Sequence, residues 1–272
     1  MVNLKIIKKT KKLLKAAPNL IDYQKTYQTF DWKQAERETS WFPHHKLNAA
    51  FNAIDRNAKG ARRNKIALYW EGEKGEKKKF TFFELYLLSN QFGNLLKSLG
   101  VKRGERVFFF LPRVPELYFG FLGTLKIGAV AGTMFSAFGP QALYDRLKNS
   151  GAKILVTNKT LYTRVQKVEK NLPELKKILL VENLSNLLAH FSIKLSCAKM
   201  EPQEAAFMLY TSGTTGKPKG VVHTHRAILL EHMTAKWVLD IREDDVYWCF
   251  PPQTVVIGNP EPKKISEIKK NY

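Results

Sequence analysis

The chain has 272 residues, of which 44% are hydrophobic and 12% aromatic, and this is enough apolar material for one large or two small globular domains. Its formal net charge of +21 comes from 45 basic and 24 acidic residues, but the basic residues are spread along the chain without a nucleic-acid-binding motif, so we expect no specific nucleic-acid partner. The chain has no run of about 18 uncharged apolar residues and no signal-peptide core, which predicts a cytoplasmic protein without a transmembrane segment.

The first part of the chain indicates a basic tail over residues 1–22 and then a lead-in, Tyr23 to Arg56, that wraps over the main body. Residues 66–80 combine an apolar run with a charged, glycine-containing turn, a pattern that predicts a β-hairpin. Thr81 and Glu84 form a capping box, so a helix is expected to begin there.

Strands and helices then alternate along the chain. The expected elements are a helix to residue 99, a strand at 106–111, a helix at 115–127, a strand at 129–134, a helix at 139–150, a strand at 154–157, a helix at 161–170 and a strand at 178–181. This order predicts an α/β fold with a doubly wound, mostly parallel sheet, whose ligands bind beyond the carboxyl ends of the strands. Residues 183–203 carry weak signals and are expected to form a surface connector.

The run from Tyr210 to Gly220 concentrates hydroxyls, glycines and cations in few positions. An apolar strand is expected at 205–209 and a helix at 221–237, so the run is predicted to join a strand to a helix. Glycine admits positive φ and brings no Cβ, so Gly213, Gly216 and Gly220 are expected to let backbone N–H groups converge on a phosphate. The spacing excludes the usual P-loop motif.

The predicted phosphate-binding residues supply backbone N–H groups, hydroxyls or positive charge. They are Thr211, Ser212, Gly213, Thr214, Thr215, Gly216, Lys217 and Lys219. Either lysine is a candidate for electrostatic support, and Lys219 has the alternative role of pinning the loop.

The whole run resembles the signature of the adenylate-forming superfamily, which includes acyl-CoA synthetases, luciferases and the adenylation domains of peptide synthetases. Further segments resemble the N-terminal region of acetate-CoA ligases and their short-chain relatives. These segments are Trp41-Phe42, Leu47-Asn48, Asp55-Arg56, Ala67 to Gly72, Ser98 to Val107, Pro112 to Glu116, Trp237 to Asp240 and Asp244 to Cys249.

The resemblance implies a partial AMP-binding domain at residues 23–249, a divergent tail at 250–272 and no C-terminal domain. It implies an acyl-CoA synthetase that consumes ATP, CoA and a small carboxylate such as acetate, with Mg²⁺ at the polyphosphate. The motifs for adenine and ribose and the adenylating lysine are absent, so catalytic residues are left unassigned and the fragment is expected to be inactive alone. A frame-shifted or truncated product, half of a split enzyme with a second chain, and a non-catalytic binding or assembly module are the alternatives.

Three other groups of polar residues are candidate ligands. His223 and His225 are interpreted as local hydrogen-bonding residues rather than a metal pair, and residues 243–245 as a solvated acidic turn rather than a magnesium site. Arg113 and Arg164 are interpreted as surface cations rather than contacts to a CoA phosphate. No metal site is therefore predicted.

Overall fold

A computed structural model describes residues 17–211 and 218–247, together with the backbone of residues 255–257 and 262–264. It divides into two compact units, residues 1–30 with 232–272 and residues 31–231. In the smaller unit, Asp22 caps helix α1, Tyr23–Thr29. The short antiparallel strands β9, Val255–Ile257, and β10, Pro262–Lys264, also belong to this unit. The division between the units falls inside the last helix, α9, Ala227–Trp237.

The larger unit contains an antiparallel hairpin and a six-stranded sheet. The hairpin strands are β1, Ile66–Glu71, and β2, Lys77–Thr81. The sheet strands are β3, Arg106–Phe110, β4, Val130–Met134, β5, Ile154–Thr157, β6, Lys177–Leu180, β7, Ala205–Thr211, and β8, Lys219–Thr224.

The helices of the larger unit connect and cover these strands. They are α2, Trp32–Arg37, α3, Arg56–Ala58, α4, Phe82–Ser98, α5, Pro115–Lys126, α6, Pro140–Ser150, α7, Lys159–Val165, and α8, Leu184–Leu188. A π-helical turn, Phe51–Asp55, precedes α3. None of the helices in the described ranges is long and apolar enough to cross a bilayer.

The sheet has the strand order β6-β5-β3-β4-β7-β8, and every neighbouring pair is parallel except β7 and β8. The chain leaves β3 for β4 on one side and then crosses to β5 on the other side. The direction of winding therefore reverses at β3, which is the doubly wound, mostly parallel arrangement that the sequence predicts.

Both faces of the central strands are buried because side chains alternate along a strand. Val107 and Phe109 of β3 lie in one hydrophobic cluster with side chains of α4 and α5. Phe108 and Phe110 lie in a second cluster with side chains of α6 and α7. The continuous apolar run at 106–111 is thus confirmed as a strand covered on both faces.

Most element predictions are confirmed, with three differences. The capping box is present, since Glu84 N donates to Thr81 Oγ1 at 3.1 Å and Thr81 N donates to Glu84 Oε2 at 2.7 Å. Helix α7 ends at Val165, earlier than predicted. The expected connector at 183–203 contains α8, whose two terminal leucines are buried. The helix predicted over 221–237 begins only at Ala227, because residues 219–224 form β8.

Candidate phosphate-binding site

Strands β7 and β8 form the stem of the predicted phosphate loop. Their antiparallel register pairs Tyr210 with Gly220 and Thr211 with Lys219. Strand β7 also runs parallel to β4, with Phe207 beside Ala131 and Met208 beside Gly132. Thr211 therefore ends β7 at the carboxyl edge of the parallel strands, which is the edge where ligands bind in open α/β sheets.

Two of the predicted site residues lie in the described part of the chain. Thr211 and Lys219 face each other across the stem, and both are exposed. The other predicted residues lie outside the described residues, and they are Ser212, Gly213, Thr214, Thr215, Gly216 and Lys217.

The predicted connection from strand to helix is wrong, since the stem leads into β8. Val221 and Val222 explain the difference, because β-branched side chains favour a strand over a helix. No helix begins directly after the loop, so a helix N-terminus does not add its N–H groups there.

The positive φ predicted for Gly220 is also wrong. Gly220 lies within β8, paired with Tyr210, and it is not among the glycines with positive φ. A Cβ at this position would lie 3.2 Å from Met208 Sδ and 3.3 Å from Tyr210 Cε1. Gly220 leaves room for the side chains of β7. Gly213 and Gly216 lie outside the described residues.

Tyr210, directly before the loop, has contacts that the sequence did not reveal. Its hydroxyl oxygen lies 2.7 Å from Asn149 Oδ1 and 3.1 Å from the carbonyl oxygen of Arg146, both on α6. Burial raises the pKa of this phenol, so the hydroxyl keeps its proton and donates it. A tyrosine next to a loop gives no signal in the sequence for partners about 60 residues away.

The base of the stem is fixed by His225. Its side chain is fully buried, and its Nδ1 accepts a hydrogen bond from the backbone N–H of Ala49 at 3.1 Å. Its own backbone N–H donates to the carbonyl of Glu204 at 3.0 Å. Burial lowers the pKa of the imidazole to about 4, so the ring is neutral at pH 7 and carries its proton on Nε2.

The side chain of His223 packs against an aromatic ring. Its ring stacks on Phe207 at a centroid distance of 4.5 Å and an interplanar angle of 10°.

In the described ranges, no group of three or more His, Cys, Asp or Glu side chains is arranged to hold a metal. The acidic turn is exposed, and Asp245 Oδ2 accepts from the backbone N–H of Arg242 at 2.8 Å.

A buried ion pair holds the lead-in against α5. Lys126 Nζ lies 2.8 Å from Asp55 Oδ2 and 2.8 Å from Asn90 Oδ1, and both charged side chains are at most 1% exposed. Burial raises the pKa of Asp55 and lowers that of Lys126, while their mutual attraction opposes both shifts. Asn48 adds bonds from its Nδ2 to the carbonyls of Leu125 at 2.9 Å and Ala198 at 3.0 Å.

The guanidinium of Arg164 has protein partners, whereas the contact of Arg113 is made by its backbone. Arg164 Nη1 donates to the carbonyls of Ser136 at 2.8 Å and Phe138 at 3.2 Å, which fixes the turn after β4. The carbonyl of Arg113 accepts from Trp70 Nε1 at 2.7 Å. The Arg164 side chain therefore stabilises the protein backbone at the carboxyl edge of the sheet.

Comparison with known proteins decides the family. The model of the AMP-binding enzyme family matches residues 54–259, most of the chain. The chain belongs to the AMP-binding enzymes. This membership confirms the adenylate-forming resemblance, and the sheet described above is the N-terminal α/β region of such an enzyme.

Curated relatives of this AMP-binding enzyme include acetyl-coenzyme A synthetases. The protein from Bacillus subtilis (strain 168) is 45% identical over 253 residues, which cover 87% of this chain and 44% of the relative. The protein from Methanothrix thermoacetophila is 38% identical over 86% of this chain and 39% of the relative. The chain thus spans less than half the length of these relatives, and it matches their N-terminal part.

Solved structures agree with the family. The Brucella canis acyl-CoA synthetase superimposes with a TM-score of 0.75 and 28% identity, over 83% of this chain and 42% of that one. An anthranilate CoA ligase solved with anthranoyl-AMP superimposes with a TM-score of 0.63 and 27% identity, over 70% of this chain and 36% of that one.

Proposed function

We propose that the chain provides the polyphosphate-binding part of an AMP-forming carboxylate–CoA ligase for acetate or another short-chain acid. The observation that carries the proposal is the position of the loop stem. Thr211 and Lys219 stand opposite each other, exposed, where β7 ends at the carboxyl edge of a doubly wound sheet. The names of the relatives support the acid class, since several are acetyl-coenzyme A synthetases and one, from Sulfurisphaera tokodaii, is a 3-hydroxypropionyl-coenzyme A synthetase.

In the proposed reaction, a carboxylate oxygen attacks the α-phosphorus of ATP, an acyl-adenylate forms and pyrophosphate leaves. The thiol of CoA then attacks the acyl carbonyl, and AMP leaves. Charge builds on the phosphate oxygens in the first step, so N–H groups, hydroxyls and cations already in position lower the barrier. We assign this task to Thr211, Lys219 and the loop residues 212–217, with the ammonium of Lys219 as a point charge.

Magnesium is expected to arrive with the nucleotide. The described residues present no carboxylate cluster for a metal, and Mg²⁺ commonly keeps several waters and binds through substrate phosphates. The ion would supply positive charge to the polyphosphate, and the chain's own contribution is the stem and its loop.

We further propose that residues 23–249 carry the partial AMP-binding domain and that the activity is cytoplasmic; the family match continues to residue 259, past the boundary expected at 249. Because the chain spans under half of its relatives' length, the remaining contacts to adenine, ribose, CoA and the acid are expected from sequence that it does not contain. We therefore expect the 272 residues alone to bind ATP without turning it over.

Calorimetric titration of the chain with ATP and Mg²⁺ tests this proposal. We expect binding that weakens by about 10- to 150-fold in Lys219→Ala, because a charge-assisted contact to phosphate contributes about 1.5 to 3 kcal/mol in a favourable site. The matched control is Lys77→Ala, which removes an exposed lysine of the β1-β2 hairpin. This variant should bind ATP as the wild type does. Equal affinity in all three proteins would remove the phosphate role from Lys219. Pyrophosphate release with acetate and CoA tests turnover, and a robust rate would contradict the expected inactivity.

A second candidate function is half of a two-chain enzyme or assembly module, and the surface of β8 favours it. Val221 and Val222 are 41% and 48% exposed, and neighbouring residues of a strand point to opposite faces. In the described sheet, β8 pairs with β7 alone. An apolar edge strand open on both faces is a surface that another polypeptide can cover.

Mixing the chain with a separately expressed partner polypeptide tests the second candidate function. The partner is the C-terminal remainder of the Bacillus subtilis acetyl-coenzyme A synthetase, expressed separately. Co-elution in gel filtration and acetate-dependent pyrophosphate release are expected, and Val222→Lys should abolish both. Independent elution of the two polypeptides would reject this candidate.

A further inference from the structure

The stem of the phosphate loop has few backbone contacts to the rest of the sheet. Strand β7 pairs with β4 at Phe207 and Met208, and this pairing does not extend to Tyr210 or Thr211. On its other side β7 pairs with β8, whose residues 219–222 are all exposed. The backbone pairing between β7 and β4 thus stops before Tyr210 and Thr211. Side-chain contacts are left to position these two residues.

The hydroxyl of Tyr210 supplies such a contact. It lies 2.7 Å from Asn149 Oδ1 and 3.1 Å from the Arg146 carbonyl oxygen. Its single proton goes to the nearer acceptor, Asn149 Oδ1. Helix α6 is a firm anchor, because its Leu143 and Leu147 are buried in the second hydrophobic cluster.

The ring of Tyr210 is held from several sides. It lies 6.2 Å from the ring of Phe108, centroid to centroid, and Phe108 is fully buried. The guanidinium of Arg146 lies 5.7 Å from the ring centroid. Gly220 across the ladder leaves the ring its space. These contacts aim the hydroxyl at α6 and restrict the rotation of the side chain.

We propose that Tyr210 is a positioning residue for the phosphate loop, and that its hydroxyl ties the end of β7 to α6 by donating to Asn149 Oδ1. The hydroxyl contacts no reacting atom and acts through the stem. It fixes the end of β7, so Thr211 is held in place before nucleotide binds. This inference rests on the proposed function for its effect on nucleotide, while its effect on the stem is independent of nucleotide.

Tyr210→Phe removes the hydroxyl and keeps the ring. Hydrogen exchange of the nucleotide-free chain should become about fivefold faster in peptides covering residues 211–219, the change expected when one hydrogen bond of typical net strength is lost. The Kd for ATP with Mg²⁺ should rise by a similar factor, about fivefold. Asn149→Ala should shift both quantities in the same direction by a smaller factor, because the hydroxyl can then donate to the Arg146 carbonyl oxygen at 3.1 Å. The double variant should match Tyr210→Phe, because without the hydroxyl the Asn149 acceptor has lost its donor.

Tyr162→Phe is the matched control. Its hydroxyl lies 3.1 Å from Glu169 Oε2, beside β6 at the opposite edge of the sheet, so its loss should leave residues 211–219 and ATP binding unchanged. Additive effects of Tyr210→Phe and Asn149→Ala, unchanged exchange at 211–219, or faster exchange spread equally over β3 and β5 would each overturn the proposal. A wild-type chain that fails to bind ATP while Tyr210→Phe still loosens residues 211–219 would reject the proposed function and support the tether.

Discussion

The centre of the sheet and its β7-β8 edge are built differently. Strands β3 and β5 are covered on both faces, and the phenylalanines of β3 are fully buried. Strand β8 is largely exposed, and polar contacts at Tyr210 and His225 help to hold the hairpin that it forms with β7. Apolar burial makes the scaffold, and directed hydrogen bonds place the candidate site at its rim.

The largest expected effect separates these two regions directly. Phe108→Ala should lower the free energy of unfolding by about 3 to 5 kcal/mol, because it leaves a cavity between β3 and α6. Val221→Ala, at the exposed edge, should cost less than about 1 kcal/mol. Urea unfolding followed by circular dichroism measures both, and similar costs would show that the edge is as well packed as the centre.

Breaking the buried ion pair is expected to be nearly as costly. Asp55→Ala leaves the Lys126 ammonium buried beside Asn90 without its counter-charge, so the free energy of unfolding should fall by about 3 to 5 kcal/mol. Glu174→Ala removes the partner of Lys153 from an exposed pair and should cost less than about 1 kcal/mol. A cost below that of the control would mean that the pair does not hold the lead-in in place.

The pH dependence of the free energy of unfolding should reveal the lowered pKa of His225. Its pKa falls from 6.5 to about 4 on folding, chiefly through burial, with Glu204 opposing the shift and Arg103 adding to it. The unfolded state therefore binds the proton first as pH falls, and stability should decline between pH 6.5 and pH 4 by about 3 kcal/mol at most from this residue.

The control for that decline is His225→Asn, whose amide oxygen can still accept from Ala49 but does not titrate. This variant should be less stable at pH 7 and should show a flatter profile between pH 6.5 and pH 4. An unchanged profile would assign the acid sensitivity to other groups.

The sequence predicted the parts of the fold that depend on local signals. The apolar run of β3, the capping box at Thr81 and the alternation of strands and helices from 106 to 181 follow from period and caps, and the structure contains them. The phosphate loop itself remains a prediction for residues 212–217, while its stem lies at the expected edge.

Other features depend on contacts between distant parts of the chain. Tyr210 and Asn149, His225 and Ala49, and Lys126 and Asp55 are each separated by 61 to 176 residues. Neither hydrophobic period nor a short motif marks such pairs. The wrong helix at 221–224 has the same cause, because pairing with β7 decides the structure of a short β-branched run that a local pattern leaves ambiguous.

Hydrogen exchange of the chain with and without ATP and Mg²⁺ tests the central claim most directly. We expect slower exchange on addition of nucleotide in peptides covering residues 205–224, with little change in β5 and β6. Nucleotide-dependent protection located elsewhere in the chain, with residues 205–224 unaffected at saturating ATP, would contradict it.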